Sequence, residues 1–307
     1  AINSAETTGR VGYKGGGGKF GLGISGAALV DRRDTRAVVS GMLYDSPGEL
    51  LDDMTVGATT GGLLKTEVLS GTKSGDEAED EESGSGVAVN IPVNVISTTW
   101  ATEARVSDSA MQGAGGVAVL AREGAKISNH QDSQTEAGSG AGTIGVAITD
   151  YDSDVSALMS DSVLNANAVT VRAESASFVQ SVAIRDGKAE NAVEIVTSVL
   201  RAVGETRALV EEMTLNVTKL NIEAKDTTTR DVLTNGIART QGFGATGGIA
   251  IDIYKRDLAA ELIGSGVTTR SEDVTVAARS AIKASNVVIG RNGGGGTFTG
   301  QANLTWT

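Results

Sequence analysis

The sequence predicts an all-β chain wound as a parallel β-solenoid. Three observations predict it: a repeat of about 50 residues, period-two alternation of apolar residues inside each copy, and a 307-residue composition that is 40% hydrophobic but only 3% aromatic. With Gly 41, Pro 2, Cys 0 and His 1, the core has to be made of Val, Ile, Leu and Ala. Small side chains fill only a thin interior, which suits a stack of short strands better than a thick globule.

The repeat rests on two anchors. A triplet of alternating apolar residues closing on alanine occurs at Met54-Val56-Ala58, Val117-Val119-Ala121, Val169-Val171-Ala173, Leu220-Ile222-Ala224 and Val274-Val276-Ala278, with starts 63, 52, 51 and 54 residues apart. A second anchor, alanine followed two residues later by an apolar residue, runs through Ala37-Val39, Ala104-Val106, Ala157-Met159, Ala208-Val210 and Ala260-Leu262 at spacings of 67, 53, 51 and 52. Two independent anchors on one period mark a repeat architecture. Glycine-rich leads open the copies, as at Gly84 to Gly86, Gly138 to Gly145, Gly244 to Gly248 and Gly293 to Gly296. Residues 20–307 therefore read as one solenoid of five repeats plus the start of a sixth, and 1–19 as a glycine-rich lead or incomplete repeat. The chain reads as a mature segment or as a piece of a longer array.

Within a copy, Val87, Val89, Ile91, Val93 and Val95 alternate, as do Val169, Val171 and Ala173, which is strand periodicity with one face buried. The stretch from Leu200 to Met213 has weak helical character, but its Thr, Val and Gly content favours strands. A unit of short strands that cannot bury its face alone must stack on its neighbours. Taken as two coils of about 25 residues each, the repeats would make some 12 rungs and a rod on the order of 60 Å long at ~4.8 Å per rung. A β-propeller is the alternative, since its blades are of similar length, but it needs hairpins and usually aromatic wedges; a β-sandwich pair comes third.

The first interval is about ten residues too long, so an insertion is placed at 71–86. Its centre, Asp76-Glu77-Ala78-Glu79-Asp80-Glu81-Glu82, is a block of like charge bounded by Gly and Ser and reads as a solvated loop. A net charge of −12 argues against nucleic acid and anionic membrane surfaces as partners. No apolar stretch approaches the ~18 residues of a membrane span, so membrane insertion by this segment is not expected. Without cysteine there are no disulfides, and haem, iron–sulfur and zinc sites fall away with cysteine and histidine.

No catalytic residue and no cofactor is expected, with Ca²⁺ the one ion to weigh. Asp150, Asp152 and Asp154 resemble the start of a calcium loop, yet the sixth position is Val155 where Gly is needed and the twelfth is Asp161 where Glu is usual. Asp76, Glu77, Glu79 and Asp80 could attract Ca²⁺, but an unstructured acidic loop binds weakly. One acid recurs, at Asp34, Asp154, Glu205 and Asp257, always three residues before the second anchor alanine. It reads as a repeated corner whose carboxylate bonds backbone amides. His130 stands alone in a polar stretch, and Trp100, Tyr151, Tyr254 and Trp306 are too scattered for a sugar-stacking platform and read as wall or rim residues.

Units reading GVAVNI (Gly86 to Ile91), ARVSDS (Ala104 to Ser109) and GGVAVLA (Gly115 to Ala121), with Gly142 to Ser175 the clearest copy, resemble the long repeats of leukotoxin-type filamentous adhesins. These are large secreted or surface-anchored β-helix proteins of Gram-negative bacteria. The resemblance covers roughly residues 20–307. It implies an extracellular or cell-surface stalk with a receptor on a host or neighbouring cell as partner, and it supplies no catalytic residues. The expected function is thus structural or adhesive, with end-to-end stacking into fibres because uncapped solenoids leave strand edges open. The alternatives are a β-helical polysaccharide lyase or hydrolase, which needs acids converging in a cleft with aromatics, and a cytolytic toxin module.

Overall fold

The computed structural model describes residues 1–45, 53–74, 86–293 and 296–306. All regular structure among them is β-strand: β1 (Ile2–Gly17), β2 (Phe20–Ser40), β3 (Leu43–Asp45), β4 (Met54–Ser74), β5 (Val87–Ser107), β6 (Ala110–Ala137), β7 (Gly140–Ser160), β8 (Val163–Ala189), β9 (Asn191–Glu211), β10 (Thr214–Thr240), β11 (Phe243–Ile263), β12 (Gly266–Gly293) and β13 (Gly296–Trp306). The chain alternates between two sheets. Sheet 1 runs β1-β4-β6-β8-β10-β12, with β3 beside β6, and sheet 2 runs β2-β5-β7-β9-β11-β13. Every pairing is parallel, as a solenoid requires and radial blades do not allow.

Both sequence anchors lie in register, one per sheet. Met54, Val117, Val169, Leu220 and Val274 pair in succession across sheet 1. Ala37, Ala104, Ala157, Ala208 and Ala260 do the same across sheet 2. Even the small disagreements between the two spacings have a place. The extra residue between Ala104 and Val117 sits at a bulge between Gln112 and Ala114, where Gly113 takes φ 80°. The two extra residues of the last interval fall opposite Val217 to Lys219, where the β10–β12 register slips.

This register corrects the expected coil size. A repeat of about 50 residues is one coil, not two: a strand of 21 residues in sheet 2 and one of 27 or 28 in sheet 1, as in β7 with β8 or β5 with β6. The period sets only the chain length per repeat, whereas the number of coils depends on how many places the chain can reverse. Among the described residues two exist per repeat. At one end the reversal is a residue in the left-handed region, at Gly41, Asp108, Asp161, Glu212 and Gly264 (φ 48° to 68°). At the other it is the glycine-rich lead, as at Gly138-Ser139 and Gln241-Gly242. The result is a slab of six rungs, about 30 Å along the stack and roughly 70 Å along each strand of sheet 2.

At the left-handed turns, serine hydroxyls knit the rungs. Ser109 Oγ donates to Ser107 O (2.8 Å) and Ser162 Oγ to Ser160 O (2.7 Å), closing each turn on itself. Ser162 Oγ in turn accepts from the Ser109 amide (3.0 Å), and Ser109 Oγ from the Met42 amide (3.2 Å). Asp suits the apex because its short polar side chain tolerates the left-handed region.

At the start of the chain Ile2–Gly17 pairs with β4 from Ile2↔Thr59 onward as the outermost strand of sheet 1. Of the Leu200 to Met213 stretch, residues 200–211 are strand in β9, and Glu212 turns the chain. Insertion residues 71–74 complete β4 and the rest, including Asp76, Glu77, Glu79 and Asp80, lies outside the described residues except Gly86.

Candidate interaction surface

The two sheets face each other, so alternate residues of each strand point inward, and what fills the space changes along the strands. Near the left-handed turns the filling is apolar: Val119, Ala121, Val155, Met159, Val171, Val210 and Ile222 are fully buried in one continuous cluster. Toward the glycine turns it is largely polar, with small clusters of alanine such as Ala88, Ala141, Ala192 and Ala238 at the very end. Asn90 Nδ2 donates to Ser70 and Ser133 (both 3.1 Å), Asn129 Nδ2 to the Ile148 carbonyl (2.7 Å), and the hydroxyls of Thr135 and Thr143 meet at 2.7 Å. Arg185 and Glu194 are buried here as well. Burial pushes the Glu194 carboxyl up to about 8 and the Arg185 guanidinium down to about 10.

Between these halves lies a buried band of aromatic and charged groups. Trp100 meets Tyr151 edge to face (centroids 6.4 Å, 87°), donates from Nε1 to Asp31 (2.8 Å) and carries the Arg33 guanidinium 4.4 Å above its ring. Tyr151 and Ser153 both donate to Glu123, and Tyr254 donates to Asp226. Arg256 lies 3.6 Å from Asp226, and Arg230 pairs with Asp252 at 2.8 Å, all four side chains being essentially inaccessible. Burial raises the Glu123 carboxyl and moves both tyrosine hydroxyls above their ordinary values. Trp100, Tyr151 and Tyr254 are therefore interior residues, not wall or rim, and Asp31, Glu123 and Asp226 satisfy their N–H and O–H groups there.

The outer face of sheet 2 inverts this pattern, whereas that of sheet 1 is charged along both halves. On sheet 1 the outside carries ion pairs that climb from rung to rung: Arg122, Arg172 and Lys225 around Glu174, and Arg172 with Arg279 on Glu223 (3.2 to 3.9 Å). An open groove of about 800 Å³ on the same face is edged by Lys73, Glu136, Asp186, Lys188 and Arg239. Lys188 reaches Glu136 (2.9 Å) and Arg239 reaches Asp186 (2.8 Å), so its charges are largely matched within the chain.

Sheet 2 divides. Toward the left-handed turns its outer face is charged, with Arg36 on Asp34 (2.8 Å), Arg201 on Asp150 (2.6 Å) and Arg207 on Glu261 (2.7 Å). The calcium candidates Asp150, Asp152 and Asp154 stand in line on this face in the middle of β7, not in a loop. Asp150 holds Arg201, and Asp154 accepts the Glu205 amide at 3.0 Å. Among the described residues, no group of three or more His, Cys, Asp or Glu is arranged to hold a metal ion. The recurrent acid is corrected in place, and of the four Asp154 accepts a backbone amide while Asp34 holds Arg36. Asp34, Asp154, Glu205 and Asp257 stack with Ala101 as a mid-strand ladder, and the corner belongs to Asp108, Asp161 and Glu212 instead. His130 lies mid-strand in β6 opposite Glu67 and Val182.

Toward the glycine turns the outer face of sheet 2 is apolar. Here the expected burial of Val87, Val89, Ile91, Val93 and Val95 is overturned: Val87 is 42% and Val93 38% exposed, while their neighbours Asn90 and Asn94 are fully enclosed. The register extends this stripe across rungs into columns, among them Ile24-Ile91-Ile144-Ile195 and Ala28-Val95-Ile148-Val199-Ile251. The signal was present in the sequence, because apolar parity changes along a strand. In β7 it runs Ile144, Val146, Ile148 and then Tyr151, Val155, Ala157, Met159. With no register shift between β7 and its neighbours to absorb the change, the apolar side passes from outside to inside.

Comparison with known proteins returned no matching family model, no similar curated protein and no similar solved structure.

Proposed function

We propose that this chain is a structural and adhesive segment of a large secreted or cell-surface protein of the filamentous-adhesin kind, whose role is reach and surface contact. One observation carries the reading: both anchors stay in register through successive coils, so each repeat adds one rung. A shaft of this type folds without disulfides because neighbouring rungs satisfy one another's backbone groups. The acids and bases that a polysaccharide hydrolase would present in a cleft, Glu123, Asp226 and Arg256, are instead closed between the sheets, which favours the shaft over the enzyme reading. Parallel rungs stacked through open strand edges also favour end-to-end association.

Negative-stain imaging of the purified chain across a concentration series tests this. Slabs that lengthen along the stacking axis into fibres are the expected result. Compact discs, or particles of fixed length at every concentration, would overturn the end-to-end part. Turnover of any member of an acidic-polysaccharide panel would overturn the non-catalytic part.

A further inference from the structure

We infer that the apolar half of the outer face of sheet 2 is a pairing surface for a second copy of this chain, the two sheets packing back to back. Along the first five outward columns, from Phe20-Val87-Gly140-Asn191-Phe243 to Ala28-Val95-Ile148-Val199-Ile251, register places no charged residue at all. The only hydrogen-bonding side chains on these columns in β2, β5, β7, β9 and β11 are Asn191 and Thr197. Phe20, Leu22, Ile24, Ile144, Ile195 and Phe243 are 61%, 50%, 66%, 49%, 41% and 48% exposed. Beyond the fifth column charge begins at once, with Asp150, Arg201, Arg32 and Asp152.

The occupant follows from charge, shape and area. The chain carries −12, so most of its surface repels a second copy, and this uncharged patch is where two copies can approach without that penalty. Its ridges are columns of Ile and Val rising with the rungs, and such faces interdigitate with an equivalent sheet about 10 Å away. A two-fold axis through the central Ile144 and Ile195 sets the patch on itself, as an isologous contact requires. Five columns by six rungs cover roughly 900 Å², against about 800 Å² per partner in a stable interface. An exposed apolar patch of this extent exceeds what monomers ordinarily carry. The contact closes after two copies, so it differs from end-to-end growth and does not rest on the shaft reading.

Sedimentation velocity on the full chain, over a wide range of micromolar concentrations, decides it. The expected result is twice the monomer mass, or laterally paired fibres where the ends also stack. Ile144→Glu and Ile195→Glu should each weaken pairing by at least about 100-fold while strand content by circular dichroism is unchanged. Thr99→Glu, on the charged half of the same face, should leave pairing as it is. Because the chain has no cysteine, an Ile144→Cys variant gives a second reading: it should cross-link into dimers on mild oxidation. A monomer at every concentration overturns the inference, as does pairing that survives both glutamate variants. So does a monomer that instead floats with neutral phosphatidylcholine vesicles, which would assign the patch to a lipid surface.

Discussion

The half of the slab beside the left-handed turns and the half beside the glycine turns are built from the same strands, yet in sheet 2 they are inside out relative to each other. In the first, Val119, Val171 and Val210 are enclosed and Arg172, Glu174 and Arg207 face solvent. In the second, Asn90, Asn129 and Glu194 are enclosed and Val93, Ile144 and Ile195 face solvent. The difference teaches that alternation reports the existence of an apolar side, while which side becomes the interior depends on the neighbouring strands. The first half is held by apolar burial, at about 25 cal/mol per Å². The second is held by backbone pairing between rungs and by side-chain hydrogen bonds across the sheets, with several atoms such as Asn90 Oδ1, Gln131 Nε2 and Thr149 Oγ1 left without a partner.

The sharpest way to break the comparison is one substitution made in both halves. Val171→Asp, at 0% exposure in the apolar half, places an unpaired charge in the core and should cost more than about 4 kcal/mol or prevent folding. Val93→Asp, at 38% exposure in the other half, should change the urea-unfolding stability of the unpaired chain by less than about 1 kcal/mol. Equal losses at the two sites would refute the inversion.

Next in size is the band that joins the halves. Asp226→Asn leaves the Arg256 guanidinium, 3.6 Å away and inaccessible, without its anion, and should destabilise by about 3–5 kcal/mol in chemical denaturation. A loss no larger than that of a surface ion pair would show that water reaches the band.

The buried carboxyl of the polar half then sets a pH dependence. Glu194 has a folded pKa of about 8 against an ordinary 4.5, so between those values the native state holds a proton that the unfolded state has lost. Stability is therefore greatest below about pH 4.5 as far as this group is concerned, and declines as pH rises through 8. Glu194→Gln should flatten that decline and add a few kcal/mol, roughly 2–4, at pH above 8. Parallel unfolding curves for both proteins from pH 5 to about 9 would show the carboxyl to be solvated.

The smallest effect belongs to the turns. Asp161 sits at φ 48°, where glycine pays no steric penalty, so Asp161→Gly should shift stability by no more than about 1 kcal/mol in either direction. Asp161→Val should cost visibly more in thermal unfolding, since a β-branched side chain resists the left-handed region.

Much of this architecture was legible in the residues. The two anchors predicted a stacked parallel coil and identified the residues that pair, since Val117 meets Val169 and Ala157 meets Ala208. The interaction face was legible only in part: Val87 to Val95 announced an apolar stripe, and the parity change before Tyr151 announced that the stripe could not stay on one side. What hid the face was the reasonable expectation that the more hydrophobic side is buried. The interior aromatics were misjudged because their partners, Glu123 for Tyr151 and Asp226 for Tyr254, lie 28 residues away in the chain, on the opposing sheet.

By itself, then, the amino-acid order determined strand content, parallel register and the length of a repeat, because these depend on alternation, spacing and turn chemistry that recur locally in every copy. Only the tertiary structure decided that a repeat makes one coil, that Asp108 and Asp161 turn the chain while Asp154 does not, and which side of sheet 2 faces water. Those outcomes depend on where the second sheet lies, and the position of a facing sheet is set by all the rungs together.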